Sequence, residues 1–113
     1  MTNEEINALS DQQINVMMTI SINEIDERYI ESVNKYNVFV TNNDKAEGVD
    51  AFLVYDYCNA PSVMWPIISH AKIDIMHRDA LGIPCAVSGD ILFADNNPLR
   101  AAAIVYLKMN GVL

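Results

Sequence analysis

The residues able to do chemistry in this chain are few, and they are scattered. Cys58, His70 and Asp56 could form a nucleophile, a base and an orienting carboxylate. A thiol needs a base or a positive field to become a thiolate at neutral pH. No glycine cluster that could build an oxyanion hole accompanies them, so a small cysteine/histidine hydrolase is the weakest of three functional readings. Cys58 reads more simply as a small buried residue at a strand end, and His70 as a surface residue at a helix end. Zinc would need Cys58, Cys85, His70 and His77, but no pair has C-x₂₋₄-C or H-x₃₋₅-H spacing. The four glycines are dispersed and form no phosphate-cradling loop. The expectation is a protein without catalytic residues, metal or cofactor.

Arg100 is the most informative single residue. With Asn97 as N-cap it falls in the first turn of a helix, where the macrodipole disfavours a cation. Something must compensate. A salt bridge is the favoured answer, to Asp56 first and Asp95 second. The other answer is a bound anion, drawn by free N–H groups and a guanidinium together. Arg100, Asn97, Asp56, Tyr57 and Trp65 would then hold a nucleotide-like ligand. Trp65 could be an interaction hot spot. Beside Pro66 and Ile67 it reads rather as a core residue, its indole N–H reaching a carbonyl.

Seven basic and fifteen acidic residues give a net charge of −8. Direct nucleic-acid binding, which requires phosphate neutralisation by Lys and Arg, is therefore not expected. The acid is uneven: residues 1–31 hold seven acids against Arg28 alone. Glu24, Asp26, Glu27 and Glu31 could steer a basic partner. The simpler reading is a solvated face.

These residues must be positioned by a chain of 113 residues, 51% hydrophobic. That length makes 1–113 a single domain. No apolar run reaches the ~18 residues of a membrane span. The acidic start, Met1-Thr2-Asn3-Glu4-Glu5, is unlike a signal peptide, and two cysteines make no disulfide framework. A cytosolic protein with reduced thiols is expected.

Ser10 and Gln13 form a capping box, with Leu9 and Ile14 at the staple positions. A helix from about Asp11 to Thr19 follows, burying Ile14, Met17 and Met18. Thr2 and Glu5 offer a weaker box for one more turn. Residues 20–33 fit either a helix or a strand. Tyr36–Thr41 alternates and is rich in β-formers. Asn42-Asn43-Asp44 and Gly48 mark a connection, and Ala51–Tyr57 is the expected return strand of a hairpin, with Tyr55 and Tyr57 on one face. Asn59 can cap a helix that carries Pro61, Val63, Met64, Trp65, Ile67 and Ile68, with Pro66 tightening or kinking it. Ile73–Met76 reads as a third strand, 78–90 as loop and Ile91–Phe93 as a short fourth strand. Asn97 and Pro98 open the last helix, Leu99–Met109, which Gly111 stops. It is apolar almost all round, the signature of a buried helix. The fold class is α+β: a small, mainly antiparallel sheet of three to four strands, two to three helices, and the C-terminal helix at the centre.

Three blocks share one pattern. Asp56-Tyr57-Cys58-Asn59-Ala60-Pro61-Ser62 with Trp65-Pro66-Ile67-Ile68, then Asn97-Pro98-Leu99-Arg100-Ala101-Ala102 with Ile104-Val105-Tyr106-Leu107, resemble the NinX family of small accessory proteins of lambdoid and related phages. Leu9-Ser10-Asp11 with Ile14-Asn15 is similar to that family's start. Ser69-His70-Ala71 departs from the pattern, and 20–50 shows no match. The resemblance implies a phage gene product in the host bacterial cytoplasm. Together with the acidic N-terminal third and the lack of a catalytic constellation, it gives the expectation of a non-enzymatic inhibitor that binds a host protein, one of antiviral defence being the expected target. Sequestration of a nucleotide-like small molecule is the alternative. Self-association is compatible with this size, but no residue pattern sets a stoichiometry.

Overall fold

The computed structural model describes residues 1–41, 48–77 and 82–113, the His77 side chain excepted. Four helices and six strands alternate: α1 Asn3–Asn7, α2 Asp11–Ile22, β1 Ile30–Val33, β2 Asn37–Thr41, β3 Val49–Leu53, α3 Pro61–Ala71, β4 Asp74–His77, β5 Pro84–Ser88, β6 Ile91–Ala94 and α4 Pro98–Met109. The class is α+β, with the strands divided between two antiparallel sheets of three, β1-β2-β3 and β4-β5-β6.

Both capping boxes form. The Thr2 hydroxyl accepts from the Glu5 amide and the Ser10 hydroxyl from the Gln13 amide, each answered by the N3 side chain. Two of the four orphan donors at each helix start are thereby satisfied. The ambiguity over 20–33 resolves into three pieces: α2 runs on to Ile22, Glu27–Tyr29 makes a 3₁₀ turn, and β1 follows.

Three helices end in the same αL motif, and only one end carries glycine. Gly111 (φ 73°) closes α4 as expected, with the Val112 amide donating to the Leu107 carbonyl. Glu24 (φ 51°) closes α2, the Ile25 amide reaching Ile20 O. Lys72 (φ 57°) closes α3, the Ile73 amide reaching Ile68 O. A residue with a Cβ in αL is strained, which is why glycine usually marks this motif. Glu24 and Lys72 give no such mark.

The core centres on α4. Arg100 through Val105 and Leu107 are buried. The small side chains of Ala101, Ala102 and Ala103 let α4 lie close over β5 and β6, with α2 and α3 against its flanks. Ile6, Ile14, Met18, Met64, Ile68, Ile73 and Phe93 complete the packing.

Four expectations need correction. The return strand is Val49–Leu53, two residues earlier than Ala51 and ending before Tyr55, so Tyr55 and Tyr57 share no strand face. Tyr57 lies buried in the turn after it, and the Tyr55 ring meets it edge-on at 6.2 Å. Residues 84–88 are not loop but the central strand of the second sheet. Pro84 stands at its first position, where a missing N–H is tolerated, and Gly89-Asp90 is a two-residue hairpin turn with Gly89 at φ 57°. The N-cap of α3 is Ala60 rather than Asn59, with no side-chain cap bond. Trp65 is not core: 57% of it is exposed. Helix α3 buries Met64 and Ile68, and one further residue turns by about 100° out of that stripe. The helix continues through Pro66. The connection read at Asn42-Asn43-Asp44 lies outside the described residues.

The β1–β3 sheet stands apart from this core. Of its strands only Val38 is buried, and α2 is the element it leans on. The molecule measures 55 × 27 × 23 Å with a radius of gyration of 15.1 Å, against about 13 Å for a compact chain of this length.

Candidate functional site

Three segments far apart in sequence knit one polar knot: 6–15, 56–59 and 95–100. Asn97 is its hinge. Its Oδ1 accepts from the Leu99 and Arg100 amides at 3.0 and 3.4 Å, capping α4. Its Nδ2 donates to the Cys58 carbonyl at 2.6 Å and to Asn59 Oδ1 at 3.0 Å. Asn59 Nδ2 in turn donates to Asp11 Oδ2 and Asp56 Oδ1, each at 3.1 Å. Buried Asn15 donates to Asp56 Oδ1 and accepts from the Cys58 amide. Asn59, freed from capping α3, is thus spent on joining the segments.

Arg100 sits at the bottom of the knot, 8% exposed. Its Nη1 meets Asp11 Oδ1 at 2.7 Å and its Nε lies 3.4 Å from Asp95 Oδ1. Its Nη2 donates to Leu9 O at 2.6 Å, with Ile6 O and Asn7 O at 3.4 and 3.5 Å. Ile6 and Asn7 end α1, and Leu9 lies in the link to α2. One guanidinium therefore satisfies the end of α1 and pairs with the start of α2. Asp56, the first-choice partner, is not used; Asp95, the second choice, is. Asp11 was not anticipated, although an acid at the first position of α2 was visible. Two carboxylates and three carbonyls surround the guanidinium, an environment that repels any further anion.

The remaining candidates fall elsewhere. Tyr57 packs into the core. Trp65 lines a separate groove of about 450 Å³ with Ser69, Lys72 and Asp74. Above the knot, Asp11, Asn15, Lys35, Tyr36, Asp56 and Asn59 line an open depression of about 380 Å³.

The Cys58 thiol is a poor nucleophile. Burial, reinforced by the Asp11 carboxylate, pushes its pKa up to about 12, so it stays protonated at neutral pH. Cys85 is also buried, and His70 is exposed on α3. Asp11 moves the opposite way: the Asn59 amide, then Arg100, hold its carboxyl below the ordinary value. Among the described residues every buried side-chain polar atom has a partner.

The acidic candidates cluster at the root of the β1–β3 sheet. Glu24, Asp26, Glu27 and Glu31 are all exposed. Asp26 is clamped by Arg28, Nη2 to Oδ2 at 2.6 Å, and the Arg28 side chain lowers its pKa. Glu24, Glu27 and Glu31 have no basic partner among the described residues. The exposed apolar residues of this sheet, Val33, Val49 and Leu53, and Tyr36 just before β2, were missed from sequence. Strand alternation was the available signal, but it does not say which face lacks a cover.

Among the described residues no helix is long and apolar enough to cross a membrane. No curated protein and no solved structure matches the chain. A family model described as "Bacteriophage P22, NinX" matches residues 5–110. That span includes 20–50, where none of the resembling blocks falls. The three blocks that carried the resemblance are also those that tie the Asn97–Arg100 knot, so the pattern has a structural basis. With nearly the whole chain covered, the protein belongs to the bacteriophage P22 NinX family and is a phage accessory protein.

Proposed function

We propose that this protein works without chemistry of its own, by binding a host protein in the bacterial cytoplasm and blocking it, with antiviral defence as the target class. One observation supports the reading: a three-stranded sheet projects from the core with a single buried side chain, and the segment leading into it carries Glu24, Glu27 and Glu31, which have no basic partner among the described residues. Exposed apolar side chains such as Val49 and Leu53 on this sheet support an interaction role. The two alternatives are less well supported. Arg100, the cation needed to sequester a nucleotide, is surrounded by its own chain's oxygens. Cys58, the nucleophile needed for hydrolysis, is buried and protonated.

The test is affinity capture of tagged protein from infected cells, with mass spectrometry of protein and small-molecule eluates. The expected result is a stoichiometric host protein, lost when Glu24, Asp26, Glu27 and Glu31 are all changed to Lys. Retention of the same host protein by that variant would overturn the acidic-face reading. A co-eluting nucleotide with no protein partner would overturn the inhibitor reading itself.

A further inference from the structure

We infer that the outer face of the β1–β3 sheet docks an extended, basic segment of a partner protein, with Phe39, Val49 and Leu53 receiving its apolar side chains and Glu31 one of its cations. This rests on the reading that the partner is a protein.

The two faces of this sheet have different roles. Pairing of Val38 with Phe52 and with Val33 puts these three on one face. Val38 is buried there, and Val33 lines a groove with Leu9, Val16 and Met17 beside α2. Phe39, paired with Ala51, shares the other face with Val49 and Leu53, because side chains alternate along a strand. On that face Val49 is 48% and Leu53 59% exposed, and Phe39 is half-buried.

A bulge re-aims the acid. Ile30 pairs with Val40 but Ser32 with Phe39, so Glu31 is the extra residue on β1. Bulges redirect side chains and are common at sheet edges. Here Glu31 joins Ser32, Phe39 and Val49 around a depression of about 280 Å³ on the outer face.

Charge selects the occupant. Glu31 is the acid that lines this face, and the stretch 24–41 around it holds four acids, Glu24, Asp26, Glu27 and Glu31, against Arg28 and Lys35. Arg28 is held by Asp26, and Lys35 lies 4.9 Å over the Tyr36 ring. A second copy docked here would set its own Glu31 against the same acid. A segment alternating apolar and basic residues matches both the apolar row and the charge.

The probes are two synthetic peptides, one alternating valine and lysine and one alternating valine and glutamate, titrated into the isotopically labelled full chain by NMR. The lysine peptide is expected to shift the amides of residues 31–32, 39 and 49–53 and to bind about tenfold tighter or better. Glu31→Lys should weaken it about threefold, a loss that fades at high salt. Leu53→Ser should weaken it with the melting temperature unchanged. Equal binding of both peptides, no binding, or shifts confined to the helical core would overturn the proposal. So would a dimer in sedimentation that Leu53→Ser dissociates. If a captured host protein is held equally well by Leu53→Ser, the docking face is wrong while inhibition stands. If the lysine peptide docks as described but no host protein is captured, the face stands and inhibition fails.

Discussion

Arg100 and Asp11 lie 89 positions apart and meet at 2.7 Å. That contact joins the first turn of the central helix to the first turn of α2, and the same guanidinium holds the Leu9 carbonyl in the link from α1 and the Ile6 carbonyl at its end. A cation at a helix start is unfavourable alone; here the chain supplies the oxygens that compensate it. Arg100→Met should cost about 3 kcal/mol, because it strands Asp11, Asp95 and the Ile6 and Leu9 carbonyls. Arg100→Lys should recover less than half, since an ammonium cannot span those partners. Urea unfolding measures both, and a cost below about 0.5 kcal/mol for the Met variant would remove the knot from the stability account.

Asp11 should make the protein acid-sensitive. Its carboxyl is depressed in the folded state, first by Asn59 and then by Arg100. Its stabilisation is therefore complete above the unfolded value of about 4 and lost as pH falls through the lower folded value. Urea midpoints from about pH 6 down to about pH 2 should fall less steeply for Asp11→Asn than for the parent chain. Parallel curves would mean that Asp11 takes no part.

Both thiols should be silent in the native state. Cys58 and Cys85 are buried, and the Cys58 pKa stands at about 12. A disulfide reagent at about pH 8 should react with neither until denaturant is added. The raised thiol pKa also has an alkaline consequence. Its contribution to stability is intact below the unfolded value of about 8.5 and erodes as pH climbs towards the folded one. Rapid native labelling of Cys58 would contradict its burial.

Trp65 should behave as a surface residue. Its fluorescence should be quenched by iodide without denaturant, and Trp65→Ala should cost less than about 1 kcal/mol. A buried tryptophan would cost about 3–5 kcal/mol. Quenching only after unfolding would return it to the core.

Two helix ends should accept glycine with a gain. Glu24 and Lys72 hold φ values of 51° and 57°. Glu24→Gly and Lys72→Gly should each raise stability by about 1 kcal/mol by relieving an αL side chain. Thermal melts distinguish this from a loss. Glu24→Gly also removes one acid from the root of the sheet, so weaker host-protein capture by a more stable variant would separate function from folding.

What the sequence determined by itself was local. Ser10 with Gln13, Thr2 with Glu5 and Asn97 with Pro98 marked helix starts correctly, because a cap bond spans only two or three residues. The run from Ala101 to Leu107 marked a buried helix, because no face of it could meet water. Even the anomaly of Arg100 was legible, since a cation in a first turn demands a partner. Which partner was not. Asp11, Asp56 and Asp95 have the same chemistry, and only the path of α2 past α4 brings Asp11 into reach and leaves Asp56 to the amides of Asn15 and Asn59. Strand β5 was lost because its glycines and proline read as breakers, although they bound a strand whose Cys85 and Ala86 are buried and which α4 covers. Trp65 and Leu53 carry the same lesson for the surface. Periodicity states which residues share a face; whether that face is covered depends on what packs against it, and that is a property of the tertiary structure alone.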